Sequence, residues 1–226
     1  MFNSVVLDVV IGLVFIYLLY SLLATTVQEI IASHFAFRSK ILERAVFRML
    51  EDENKFTSRF KSVIYLFKKS GNGGKENSIS YEFYEHPLIK FLGEGNNHSK
   101  PAYINKETFS KVIFDLLRGK DVKPGVDSTA LIQKSLDANS TNWGNVKISE
   151  LTLVYLKTIW ADADGDTLKF KRNLESWFDE TMDRASDWYK RHTQFILFFV
   201  GLTISIAFNV DTIKIVDKLE KDPKLR

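Results

Sequence analysis

Asp162-Ala163-Asp164-Gly165-Asp166 is the acidic run whose residue types best suit a hard cation such as calcium. A calcium loop of the EF-hand kind needs glycine at its sixth position and glutamate at its twelfth. Counted from Asp162, Gly165 is fourth and Asn173 is twelfth, so both key positions fail. The run reads instead as a loop that ends in a helix N-cap, with Asp164 or Asp166 as the cap. Gly71-Asn72-Gly73-Gly74-Lys75 has the flavour of a phosphate-cradling loop. It lacks the spacing, the following Ser or Thr and the preceding buried strand that such a loop requires, and is predicted to be a surface turn. His34, His86, His98 and His192 are isolated from one another in sequence, with no metal-binding pair at helical spacing. No nucleophile elbow or paired-carboxylate site stands out. Asp8 is the residue to single out, because a carboxylate at the membrane end of an apolar helix is costly unless wet or paired.

Composition removes further chemistries. Cysteine is absent, which excludes disulfides, thiolate zinc sites and cysteine nucleophiles. The net charge of +3 is small and dispersed, so no nucleic-acid partner is predicted. No cofactor is predicted, and an enzymatic role is the less favoured one. Hydrophobic residues make up 45% of the chain, but they concentrate near its two ends while charges crowd the middle.

Those ends hold the elements that must position everything else. Val5 to Val27 is an apolar run of 23 residues whose single charge is Asp8, long enough to cross a hydrocarbon core of about 30 Å at about 1.5 Å per residue. A cleaved signal peptide is the alternative, but it would need a basic start and a shorter run. A second span is predicted over 195–216, where a buried core helix is the alternative. Trp188, Tyr189, Lys190 and Arg191 precede it and fit an interfacial belt with basic anchors. No Lys or Arg precedes the first span, whereas Arg38, Lys40, Arg44 and Arg48 follow it. This asymmetry predicts both termini outside and the middle in the cytoplasm of a bacterial inner membrane. Counting depth from Gln28 and Thr193 places Asp8 level with Asn209, Asp211 and Lys214, a membrane-level polar cluster. An alternative leaves Asp8 simply wet at the outer interface.

Neither Gly nor Pro occurs between Gly12 and Gly71, and apolar residues recur at helical spacing from Val27 to Met49. The first span is therefore predicted to continue as one helix to about residue 50. A stalk helix over 166–194 should run into the second span, with an outside tail over 217–226. Two amphipathic extensions leaving one membrane face need each other's apolar sides, so a helical hairpin stalk is predicted, with Leu42, Val46, Phe178 and Met182 in one cluster. Residues 51–165 should form a cytoplasmic cap of short helices. These are predicted over Lys55 to Lys69, Ser80 to Leu92 with a kink or start at Pro87, Asn105 to Arg118 with Asn105 as N-cap, Asp127 to Ala138, and Ile148 to Ala161. Strand signals are nearly lacking, and the class is all-α.

Several motifs are shared with known proteins. Asn173-Leu174-Glu175-Ser176-Trp177-Phe178-Asp179, Met182-Asp183-Arg184, Trp188-Tyr189-Lys190-Arg191 and Asn209-Val210-Asp211-Thr212-Ile213 resemble those of a widespread, uncharacterised family of bacterial inner-membrane proteins. His86-Pro87-Leu88-Ile89 and Pro101-Ala102-Tyr103-Ile104 with Phe109 belong to the same resemblance, which spans nearly the whole chain in order. It implies a fold and a membrane location, but no activity, cofactor or catalytic residue. Family members often carry Gly where this chain has Asp187, and usually continue past Asp222 to Arg226 into another hydrophobic segment. The resemblance thus implies a shortened member or a part of a longer protein.

The expectation that follows is a non-enzymatic membrane anchor or scaffold acting through a cytoplasmic helical domain. Its partners would be the lipid bilayer and either further copies of itself or other membrane proteins. One rival is a pore-forming or membrane-perturbing effector, for instance in phage defence, whose subunits would ring an aqueous path lined by Asp8, Tyr17, Ser21 and Thr25. The other is an enzyme with an unrecognised site.

Overall fold

A computed structural model describes residues 5–52, 66–67, 77–93, 100–120 and 126–222. Its elements are helical: α1 (Val5–His34), α2 (Phe37–Leu50), α3 (Ile79–Glu85), α4 (Pro87–Lys90), α5 (Lys106–Arg118), α6 (Ser128–Asp137), α7 (Glu150–Ala163), α8 (Thr167–Ala207) and α9 (Thr212–Lys221). Among the described residues the extended backbone amounts to one isolated bridge, Ser140 to Lys147. The all-α class is thus what the chain adopts. Most of the helix expected over 55–69, and the glycine turn over 71–75, lie outside the described residues.

The chain divides into two compact units, Ala36–Tyr189 and Met1–Phe35 with Lys190–Arg226. In the first of these, local signals place each helix end. Ser78 caps α3 by accepting from Tyr81 N, Asn105 caps α5 through Thr108 N, and Asp127 caps α6 through Thr129 N. Pro87 sits in the first turn of α4, where its missing N–H costs nothing. The expected helix over 80–92 is therefore two helices, with His86 turning the chain between them.

The core of this unit joins Leu42, Val46 and Leu50 of α2 to Phe83 of α3, to the apolar face of α5, and to Phe170, Leu174 and Phe178 of α8. Phe109 is its hub, with ring centroids 4.7 Å from Phe178 and 5.5 Å from Phe83. Met182 is partly buried and packs against the same cluster. Helix α2 packs on α3, and α3 packs on α5. The apolar face of α2 thus packs on a short helix, and residues of α8 belong to the same cluster. Arg48 lies over the Trp188 ring at 4.9 Å, and Arg38 over the Tyr189 ring at 5.6 Å. Two of the expected interfacial anchors are therefore engaged by arginines of α2.

In the second unit α9 packs on α1. By length and composition α1 can cross a membrane; α8 and α9 together pass the same test but bend by 51° between them. Three elements end elsewhere than the residue pattern suggests. The first helix does not run unbroken to residue 50, because Ala36 is left-handed at φ 50° and α2 starts without a side-chain cap. Helix α8 does not extend to 216. It ends in a Schellman motif, with Asn209 left-handed at φ 49°, Asn209 N donating to Ile206 O at 3.2 Å and Val210 N to Ser205 O at 2.9 Å. Asp211 then caps α9 by accepting from Ile213 N and Lys214 N. The expected tail over 217–226 is, as far as Lys221, the second half of that helix.

Candidate functional site

Two contacts fix the register of α9 on α1, and a third extends it to the segment just before α9. A Cβ added at Gly12 would meet the two Leu219 δ-carbons at 3.3 Å. The Tyr17 hydroxyl hydrogen-bonds the Thr212 hydroxyl. Tyr20 and Phe208 rings lie 5.9 Å apart. Position rises along α1 as it falls from Leu219 to Phe208, so the helices run antiparallel. Gly12 lacks a side chain where Leu219, itself buried, must approach, the usual role of a small residue between apolar helices.

This register differs from the depth match read from sequence. Thr212 stands opposite Tyr17, nine residues further along α1 than Asp8, which is about 13 Å at 1.5 Å per residue. The structure does not bring the four expected polar residues into one paired group. Asp8 is half-buried near the start of α1, and Asn209 forms the α8 stop. Asp211 caps α9 and pairs with Lys214 at 3.3 Å. Among the described residues no ion pair joins Asp8 to Lys214.

Three threonine hydroxyls inside the apolar helices are satisfied locally. Thr25 donates to the Ser21 and Leu22 carbonyls, Thr26 to Leu22, and Thr203 to Phe199. Gln28 Nε2 and Thr193 Oγ1 are buried without a hydrogen-bond partner among the described residues.

The face of α9 opposite Leu219 carries Lys214, Asp217 and Lys221, flanked by Lys218 on one side and by Glu220 and Ile213 on the other, by the 100° advance per helical residue. All six are exposed, and Lys221 pairs with Asp217 at 2.6 Å. A charged helix thus lies along the first half of the apolar run of α1.

The other unit buries a second polar group that the sequence reading missed. Glu82 of α3 is buried and accepts from Thr141 Oγ1 at 2.7 Å. Burial pushes its carboxyl above the usual range, opposed by the Thr141 hydrogen bond and by Lys120. His86 is also buried, and its Nδ1 accepts from Leu88 N at 3.3 Å. The proton of the neutral ring therefore sits on Nε2, which lies 3.9 Å from Asp115 Oδ2. Burial pushes His86 below its ordinary value; Asp115 opposes that shift and Lys111 adds to it. Arg118 holds Asp115 at 2.9 Å, and the Trp143 ring centroid lies 4.7 Å from that of His86. Glu82 and His86 are each enclosed and have separate partners. A cavity of about 370 Å³ lies between α6 and α7, lined by Gln133, Asp137, Lys157, Trp160, Asp164 and Gly165. In that cavity wall Trp160 Nε1 donates to Gln133 at 2.8 Å. The acidic run supplies the α8 cap, because Asp166 Oδ1 accepts from Leu168 N and Lys169 N. Among the described residues no three acidic or histidine side chains group as metal ligands.

Glu82 and His86 had no loud sequence signal, since one stands alone in a short helix and the other in the turn that follows it. No family model matches the chain, and neither a curated protein nor a solved structure matches it.

Proposed function

We propose that the chain is an integral protein of a bacterial inner membrane, a non-enzymatic anchor or scaffold whose 36–189 unit is held in the cytoplasm. The observation that carries this reading is the surface of α1. Val6, Ile11, Phe15, Leu18 and Leu22 are among the apolar residues it exposes, and α9 covers only one side of it. An apolar surface of that extent is stable against lipid and costly against water, at about 25 cal/mol for each Å². The Lys and Arg asymmetry around α1 supports a cytoplasmic location for the middle of the chain. The core of the 36–189 unit supports a self-contained interaction domain. Helices α2 and α8 together form the stalk of this proposal, with Leu42, Val46, Phe178 and Met182 at its centre. A compartment-sensitive reporter inserted at residue 73 and another at the C-terminus test the topology. A cytoplasmic signal at 73 and an outside signal at the C-terminus are expected. A periplasmic signal at 73, or release of the protein from membranes by alkaline carbonate, overturns the reading.

One observation favours a second reading, a pore-forming protein. The exposed charges of α9 lie beside the first half of α1, and charged side chains within membrane segments almost always face water or one another.

A further inference from the structure

Resting on the membrane reading above, we infer that the lysine-bearing face of α9 lines a water-filled path between copies of this chain. Three independent features lead there. The Schellman stop at Asn209 and the Asp211 cap make α9 a separate half-helix inside the second apolar stretch. Broken helices of this kind at membrane depth are tolerated where they line a cavity filled with water or buried in protein. The contacts of Leu219 with Gly12 and of Thr212 with Tyr17 hold that half-helix along α1 from near its start to near its middle. The side away from Leu219 is exposed and carries three lysines, Asp217 and Glu220.

The Asp211–Lys214 and Asp217–Lys221 pairs reduce the cost of this face, where Asp211, Asp217 and Glu220 balance the three lysines. Neither pair is covered by the chain's own atoms, so the remaining cover must come from outside it. Lipid tails offer no hydrogen bonds. A second copy does: its α9 presents aspartates as well as lysines, and an aqueous gap between copies hydrates the rest. In closed rings the same surface recurs from every subunit. The occupant is therefore water, bounded by further copies of the chain.

The absence of cysteine makes the test direct. Single cysteines are placed at Lys214→Cys and Lys218→Cys on the polar face, and at Val14→Cys on the exposed apolar surface of α1. The full chain, in sealed vesicles or cells, is treated with a membrane-impermeant cationic methanethiosulfonate and separately with a thiol oxidant. Fast labelling is expected at 214 and 218, at least tenfold faster than at 14, and oxidation at 218 should yield disulfide-linked dimers. Labelling at 214 as slow as at 14, or no dimer at 218, overturns the inference while leaving the membrane reading intact. Labelling at 14 as fast as at 218 means that α1 is not in lipid, and the membrane reading itself fails.

Discussion

Asp52 holds the start of α7 from almost 100 residues away in sequence. Its carboxylate accepts from Leu151 N at 2.6 Å, from Thr152 N at 3.0 Å and from Thr152 Oγ1 at 2.9 Å. Ser149, the residue at the ordinary cap position of α7, makes no side-chain cap bond. Removing a cap costs about 0.5–2 kcal/mol, and losing a negative charge at a helix N-terminus costs about 0.3–1 kcal/mol. Asp52 is also left-handed, at φ 52°, a conformation that costs an alanine about 1–2 kcal/mol and glycine nothing. Asp52→Ala should therefore lose about 2–4 kcal/mol. Asp52→Asn, which keeps one acceptor and tolerates the backbone, should lose about 1 kcal/mol. Asp52→Gly should fall between them, reversing the usual order of alanine above glycine. Thermal or denaturant unfolding of the detergent-solubilised full chain reads these values, at about 2–4 °C per kcal/mol for a unit of this size. An alanine variant within 0.5 kcal/mol of the parent, or one more stable than the glycine variant, refutes the argument.

The buried His86 makes stability depend on pH. Its folded value lies below the ordinary 6.5, so the unfolded chain binds the proton more readily. Stability from His86 is full above about 6.5 and falls as pH drops from there towards the folded value; His86→Asn keeps a cap acceptor for Leu88 and should flatten this part of the profile of urea midpoint against pH. Gly144→Ala should lose about 1–3 kcal/mol in the same unfolding assay, because the added Cβ would lie 1.8 Å from Glu82 Oε1; Glu82→Ala in the same chain should recover part of that loss. Gly12→Leu should separate α9 from α1 and lower detergent stability by about 1–3 kcal/mol, with Leu219→Ala restoring part of it.

The short helices were legible because their ends carry local chemistry. Asn105, Asp127 and Pro87 each act within one helical turn, and a single sequence displays such signals fully. The core residues Leu42, Val46 and Phe178 could be chosen by period alone, since any buried stripe must meet another. What failed was the inference of continuity from the lack of Gly and Pro. Ala36 adopts a left-handed backbone that its identity does not announce. Asn209 did announce one: asparagine tolerates this conformation, and Asp211 two residues later is a cap residue, so Asn209-Val210-Asp211 reads as a stop followed by a start. Asp52 and Glu82 were invisible for another reason. Their partners, Leu151 with Thr152 and Thr141, are distant in sequence, and only the assembled core brings them near.

The break at Asn209 changes the energetics of the proposed membrane unit. The run Val5–Val27 holds fifteen Val, Leu, Ile and Phe residues, each worth about −0.3 to −0.6 kcal/mol on insertion, or about −5 to −9 kcal/mol together. Had the second helix simply run on to 216 and then left the membrane, its later charges would have been wet and free of cost. With α9 folded along α1 from Tyr17 towards Gly12, Lys214, Asp217, Lys218 and Lys221 sit beside that run instead. A charge facing lipid at the helix centre costs about 2.5–3.5 kcal/mol, so four in the outer half of the run offset much of what α1 returns. Pairing Lys221 with Asp217 and Lys214 with Asp211 recovers only part of this, since both pairs remain exposed. The arrangement is stable in a bilayer only if the charged face meets water or another copy. The wetness of Lys214 is therefore the quantity that separates a plain anchor from a pore.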